Sequence, residues 1–404
     1  MPQATRQAMS GVLEGVVVLD LTQMLAGPYC TMMLADHGAD VIKIEPPHGD
    51  MSRSLGPFCS ADVNQTEGGY FHSINRNKRS IVLDLKNPHD IEVFLALVRK
   101  ADVVVENFRH GVMDRLGLSY EVLAKENPAL VYATIRGFGD QRGGESPLIE
   151  WPAFDIVAQA MSGFMSMTGP RNEPTKAGPG IGDLVPGLMC AFGIVAGVRH
   201  AERTGIGQFV DVAMYDAMLS ICERMVYRYS FGDAVSTGEG NDHPMVNPFS
   251  IFACADGWMA IGCPLDAQWQ ELLRVMGRED LNDTAGFRTN TERVENASTM
   301  REVITTWTAG MTKQELIDQL AGRVPCGPVN DVVDIFNDPH VAAREMLPEV
   351  ELPGLNQRAR IAGVPVRFSA TPGGVHSAGP ALGIHTAEVF EQFGLPVIPA
   401  SDDA

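Results

Sequence analysis

Short runs of β-branched and aliphatic residues, each separated from the next by a stretch of helical pattern, constrain this chain more than any other feature. Val16-Val17-Val18-Leu19-Asp20 is apolar without alternation, as expected of a strand buried on both faces. Val41–Ile44, Ile81–Leu85, Val103–Glu106 and Val131–Ile135 read the same way. Helical patterns fill the intervals: one opens at Gly27-Pro28 and reaches Gly38, and others occupy Pro88–Lys100 and Tyr120–Glu126. A strand reached through a helical crossover lies parallel to its predecessor. The alternation therefore predicts an α/β fold built round a parallel sheet.

Such a sheet is Rossmann-like, but no nicotinamide site is signalled. After the first strand, Thr22-Gln23-Met24-Leu25-Ala26-Gly27-Pro28 holds one glycine where a dinucleotide fingerprint has three. A P-loop is absent too: Gly182 and Gly187 have its separation, yet Leu188 stands where lysine is required. Strand Phe209–Val212 and a helix from Tyr215 extend the large domain. Between Phe231 and Pro248 the text turns to Gly, Asp, His, Asn and Pro, which marks a domain boundary. The following segment reads as a smaller α/β domain over 231–338, between large-domain residues 1–230 and a tail of 339–404. Its predicted strands are Ile251–Cys254 and Trp258–Ile261, and its helices lie near Gln268–Met276, Met300–Ala309 and Lys313–Leu320. The tail predicts a strand at Gly363–Phe368 and a helix at Thr386–Phe393.

One loop stands out for chemistry. Ala177-Gly178-Pro179-Gly180-Ile181-Gly182-Asp183-Leu184 delivers a carboxylate to the start of a long apolar segment. No charged residue occurs from Leu184 to Val198, and apolar residues recur there at helical spacings. The glycines let a ligand's reactive atom approach the backbone closely. Asp183 is also a favoured residue type for a helix N-cap. The residues of the loop leave both roles open.

Charge and composition narrow the classes. With 31 Lys and Arg against 50 Asp and Glu, the formal net charge is -19, which opposes nucleic-acid binding. A polyanionic ligand would need a local group of arginines. Arg109 follows one predicted strand end, Arg136 another, and Asn75-Arg76-Asn77-Lys78-Arg79 precedes a third. In open α/β sheets ligands bind beyond the carboxyl ends of the strands, so these side chains are either phosphate ligands or solvated surface charges. The seven cysteines are dispersed without a C-x-x-C pair and read as reduced thiols of a cytoplasmic protein. Residues 1–10 show no apolar leader core. The run Leu184–Val198 is shorter than the roughly 17–25 residues of a membrane helix, so no membrane partner is expected. No H-E-x-x-H, paired Cys/His or G-x-S-x-G pattern marks a metal or a serine nucleophile.

Several motifs together carry a resemblance. Leu21–Pro28, Leu34–Glu45, Asn75–Ser80, Glu106-Asn107-Phe108 and Phe154–Ala160 come first. Gly182-Asp183-Leu184, Thr204–Gln208, Val324–Val329 and Leu382–Thr386 follow in order. The set resembles family III CoA-transferases over almost the whole chain. The resemblance implies two domains, the large one built from both chain ends, and a homodimer of interlocked rings. It implies transfer of coenzyme A from an acyl-CoA to a free acid, with Asp183 as the catalytic aspartate and no cofactor or metal beyond CoA as substrate. CoA contacts carry over to Leu25, Ala26, Leu83, Lys86, Asn107, Phe108, Arg109 and Arg115, with Lys86, Arg109 and Arg115 facing phosphates. Gln23, Phe154, Asp155, His243 and Asn247 are the candidate substrate-pocket residues. Some members cover the nucleophile with a run of glycines; the corresponding stretch here, Pro244-Met245-Val246-Asn247-Pro248, has none.

The family also contains 2-methylacyl-CoA racemases, in which a histidine precedes the residue matching Asp155. Here that position is Phe154, which carries no proton, so transfer is the expected activity. A nicotinamide oxidoreductase and a non-catalytic CoA-binding protein are the alternatives from other classes. The expected acid is a short dicarboxylate of the mesaconate, itaconate, malate or citramalate type, with succinyl-CoA as donor. Transfer proceeds between molecules or between the two carboxyl groups of one diacid.

Overall fold

Six parallel strands form the central sheet of this computed structural model, which describes residues 11–395. Residues 1–10, read above for a leader, and 396–404 lie outside the described residues. The strands are β1 (Val17–Asp20), β2 (Asp40–Glu45), β3 (Arg79–Val82), β4 (Val103–Glu106), β5 (Val131–Arg136) and β6 (Phe209–Ala213). Their order across the sheet is β3-β2-β1-β4-β5-β6, and every pairing is parallel. Successive side chains leave opposite faces, so both faces need apolar cover. Leu19, Ile42, Val104 and Tyr132 pack with Phe94, Leu97, Leu123 and Phe390, from helices Pro88–Val98, Tyr120–Glu126 and Thr386–Phe393. Val18, Val41, Val103, Val105, Val131 and Ala133 pack on the other side with Ala26, Cys30, Cys190, Ala191 and Ile194. Those residues belong to helices Ala26–Asp36 and Ile181–Thr204. The unbroken apolar runs reflect this two-sided burial.

Two predicted strands need correction. β3 begins at Arg79 rather than Ile81, because two polar residues enter the ladder with their side chains neutralised. The buried Arg79 guanidinium pairs with Asp40, and Ser80 Oγ donates to Glu45 Oε1 at 2.6 Å. The stretch 363–368 forms no strand. Pro365 has no N–H to donate, and the segment's entry is tied elsewhere: Gly363 N donates to Met346 O at 2.8 Å, and Arg76 takes the Ala362 carbonyl. The tail instead pairs β10 (Glu349–Glu351) with β11 (Arg358–Arg360), antiparallel.

The chain divides into two compact units. The large one takes residues 11–164, then Gly178–Glu223, then residues 339–395. The small one comprises Met165–Ala177 and Arg224–Asp338. The boundary thus falls at 224 rather than 231, since Glu223–Gly232 is one helix and the composition shift begins only at its end. The small unit has an antiparallel sheet of β7 (Phe249–Cys254), β8 (Gly257–Gly262) and β9 (Cys326–Pro328). Trp269, Leu272, Met300, Ile304, Leu316 and Leu320 cover it.

Helix Ile181–Thr204 outruns the apolar stretch seen in the sequence. With a mean hydropathy of 1.8 over its most apolar 18 residues, it is long and apolar enough to cross a membrane by length and composition alone. Here that composition serves packing: Pro186, Cys190, Ala191, Ile194 and Val198 are buried in the large unit.

Candidate active site

The sheet order reverses between β1 and β4, and the crevice beyond their carboxyl ends is where open α/β sheets hold ligands. Side chains, rather than a run of glycines, fix the loops after β1 and β4. Gln23 N donates to Asn107 Oδ1 at 2.9 Å, and Asn107 Nδ2 donates back to Gln23 O at 2.8 Å, clamping the loop after β1 to the loop after β4. Lys43 Nζ, fully buried, donates to Thr22 O at 2.7 Å and pairs with Asp50 at 2.9 Å. Asp50 Oδ1 in turn accepts from Met24 N at 3.2 Å. Met24 has φ 66, a strained conformation for a side chain of its size, and these bonds hold it there. Beneath the loop, burial would raise Asp20, but Lys78 and Lys43 hold its carboxyl down at about 2.

The capping role left open for Asp183 falls to another residue. The N-cap of Ile181–Thr204 is Gly180, and Asp183 stands inside the first turn. The capping oxygen comes from elsewhere in the chain: Asp155 Oδ1 accepts from Gly182 N at 2.8 Å and from Gln159 Nε2 at 2.7 Å. Gly182 is required by this arrangement, because a Cβ there would sit 2.6 Å from Asp155 O and 3.0 Å from its Oδ1. Asp183 is thereby released from capping. Its carboxylate is partly buried and takes no hydrogen bond among the described residues. Burial, then the Asp155 charge, push its carboxyl up to about 7. A carboxylate with a raised pKa and no internal partner, facing a cleft, is a functional-site signature.

That cleft is a cavity of about 480 Å³ within the large unit. Gln23, Leu25, Ala26, Asn107, Phe108, Arg109, Arg115, Phe154 and Asp183 all line it, so most of the sequence-predicted residues converge. Phe154 is 61 % exposed and presents only a ring. Asp155 contributes through Gly182 as just described. Asn107 spends its amide on the loop clamp. Leu83 is a core residue, 2 % exposed, and neither it nor Lys86 lines this cavity. His243 and Asn247 line a different cavity, of about 360 Å³, in the small unit. There His243 Nδ1 accepts from Met245 N at 3.2 Å and Asn247 Nδ2 donates to Arg293 O at 3.1 Å, so both side chains fix their own loop.

Tyr70 was not legible in the sequence. It lines the 480 Å³ cavity from the short helix Gly69–Ile74, and no motif distinguishes it. Burial, then the charges of Asp183, Asp50 and Asp155, push its phenol up to about 12. It therefore stays a neutral O–H donor beside the carboxylate. In the wall of the cavity Arg136 bridges Glu106 and Asp140, and burial pushes Glu106 up to about 7. Among the described residues no group of three or more His, Cys, Asp or Glu is placed to hold a metal ion.

The profile of CoA-transferase family III matches residues 13–386. The chain belongs to that family. Among its relatives, a succinyl-CoA:mesaconate CoA-transferase of Haloarcula hispanica is 47% identical over 386 residues, covering 95% of this chain and 97% of the relative. A succinate–glutarate CoA-transferase of Agrobacterium fabrum is 37% identical, covering 94% of this chain and 95% of the relative. Among solved structures, a CAIB/BAIF family protein from Brucella suis superposes with TM-score 0.83 at 35% identity, covering 95% of this chain and all of that one. The α/β fold with a parallel sheet is thus the fold of a family III transferase.

Proposed function

We propose that this chain moves coenzyme A from succinyl-CoA, or another dicarboxylyl-CoA, to a short dicarboxylic acid of the mesaconate, itaconate, malate or citramalate type. The observation that carries the reading is Asp183: a carboxylate without an internal partner, in the first turn of a helix, sharing a cavity with Arg109 and Arg115. The names of the relatives supply the substrate class. The ionised Asp183 attacks the thioester carbonyl, the C–S bond breaks, and CoA leaves as a thiolate from a mixed anhydride. The thiolate then attacks the Asp183 carbonyl, releases the first acid and leaves an aspartyl-CoA thioester. The incoming carboxylate repeats both steps in reverse. No net proton moves, and one difficult exchange becomes several easier ones. The helix N-terminus favours each anionic species by up to about 2 kcal/mol.

A panel of acyl-CoA donors and acids, followed by mass spectrometry, tests the reading with Asp183→Ala as control. Isotope-labelled diacids in the same panel separate exchange between molecules from exchange within one. Exchange that persists in Asp183→Ala sinks the mechanism, and activity confined to monocarboxylates sinks the substrate class. Pairing of two copies is part of the same reading. Leu188, Phe192 and Val195 form a stripe on the Asp183 helix, with Phe192 77 % exposed, as an interface would supply. Light scattering that gives a monomer mass would contradict it.

A further inference from the structure

We propose that His110 is a ligand-binding residue that takes a phosphate of coenzyme A alongside Arg109 and Arg115; this rests on the CoA reading above. His110 lines the same cavity as Asp183, and its side chain is 14% exposed. Nδ1 is buried and has no hydrogen-bond partner. Two carboxylates lie beyond hydrogen-bond distance and within pairing distance only of a protonated ring: Nδ1 is 3.7 Å from Asp140 Oδ2, and Nε2 is 3.6 Å from Glu150 Oε1. Asp140 does not need the imidazole. It already takes Arg136, Arg142 N at 2.9 Å and Arg142 Nη1 at 3.1 Å. Glu150 is 74% exposed, open to solvent. Whichever ring nitrogen carries the proton, the N–H has no acceptor within the protein, and buried donors in that state call for an explanation.

The neighbours say what the acceptor is. Arg53, Arg76, Arg79, Arg136 and Arg142 are each neutralised by carboxylates. Arg109 and Arg115 are exposed and form no ion pair among the described residues. Gly111, at φ 71, lets Arg115 fold back over the loop, since a Cβ there would lie 2.9 Å from its Nη1. The loop at Arg109-His110 and the short helix Val112–Arg115 thus set two unneutralised guanidinium groups and an imidazole without a hydrogen bond in the lining of one cavity, in a chain of net charge -19. A phosphate, with several acceptor oxygens and negative charge, satisfies all three.

Calorimetric titration of CoA, dephospho-CoA and pantetheine into the wild type, His110→Ala and His110→Gln tests this. Expected is CoA weakened about tenfold by His110→Ala, with pantetheine unchanged and the Gln variant partly restored. Equal weakening of dephospho-CoA assigns the contact to the diphosphate; weakening of CoA alone assigns it to the 3′-phosphate. Either supports the proposal. CoA binding like wild type overturns it, and so does an equal loss for pantetheine, which would signal general damage to the loop. A wild-type chain that binds no CoA would instead remove the transferase reading and this inference together.

Discussion

Two cavities in this molecule hold similar side chains and differ in what those side chains are doing. The small unit's cavity contains Arg228, Glu239, Asp242, His243 and Asn247, and nearly all are spent. Arg228 faces Glu239 at 3.6 Å, Asp242 takes Arg301, and His243 and Asn247 brace their loop. In the large unit's cavity the side chains of Asp183, Arg109, Arg115 and His110 form no hydrogen bond among the described residues. Polar groups satisfied internally stabilise a fold. Polar groups left unsatisfied beside a cleft await a ligand. Residue type alone would have ranked the two cavities equally.

Substitutions can break that contrast. Asp183→Ala should lower transfer at least about a thousandfold, because the covalent route is lost, as measured by CoA exchange at saturating substrate. Arg109→Ala and Arg115→Ala should each raise the KM for acyl-CoA about tenfold with kcat within about twofold, the mark of lost ground-state binding. Asp155→Asn keeps an acceptor for Gly182 N and removes the charge. Because Asp183 must be ionised to attack and is raised to about 7, kcat/KM should rise with pH through about 7. In Asp155→Asn this limb should move to lower pH, though burial, the larger cause, keeps it above an ordinary aspartate. A limb that stays put would show that Asp155 acts only as a cap.

The same raised pKa has a sign for stability. From about pH 4 to 7 the folded chain retains a proton that the unfolded chain has lost, so this group's contribution falls as pH rises across that window. Asp183→Asn should therefore melt a few degrees higher than wild type at pH 8 and show a smaller difference at pH 4, by calorimetry at both values. The smallest effect belongs to the other cavity. His243→Ala and Asn247→Ala should leave kcat/KM within about twofold, and Asn247→Ala should cost about 1 kcal/mol of stability through its lost bond to Arg293 O. A tenfold loss of activity in either would erase the distinction between the cavities.

Much of this was legible in the residues. The β-branched runs gave the sheet, since burial on both faces leaves an unbroken apolar text. The ordered motifs pointed to Asp183. The strand start at Arg79 was hidden because its charge is neutralised by Asp40, far away in sequence. Capping was read onto Asp183 for a similar reason: propensity knows the local residue type, whereas the actual cap, Asp155, reaches Gly182 N through tertiary packing. Tyr70 and His110 carry no motif; only the cavity reveals them. The assignments of Leu83, Lys86, His243 and Asn247 followed a resemblance without packing information. Packing puts the first in the core and the last two in a braced loop.

The most direct test is to trap the acyl-enzyme. The chain is incubated with succinyl-CoA, quenched with hydroxylamine and digested, and its peptides are weighed. Attack on an anhydride or thioester of Asp183 leaves an aspartyl hydroxamate, so the Gly178–Arg199 region should carry that modification only when acyl-CoA was present. CoA transfer that proceeds at full rate with Asp183 unmodified would contradict the account.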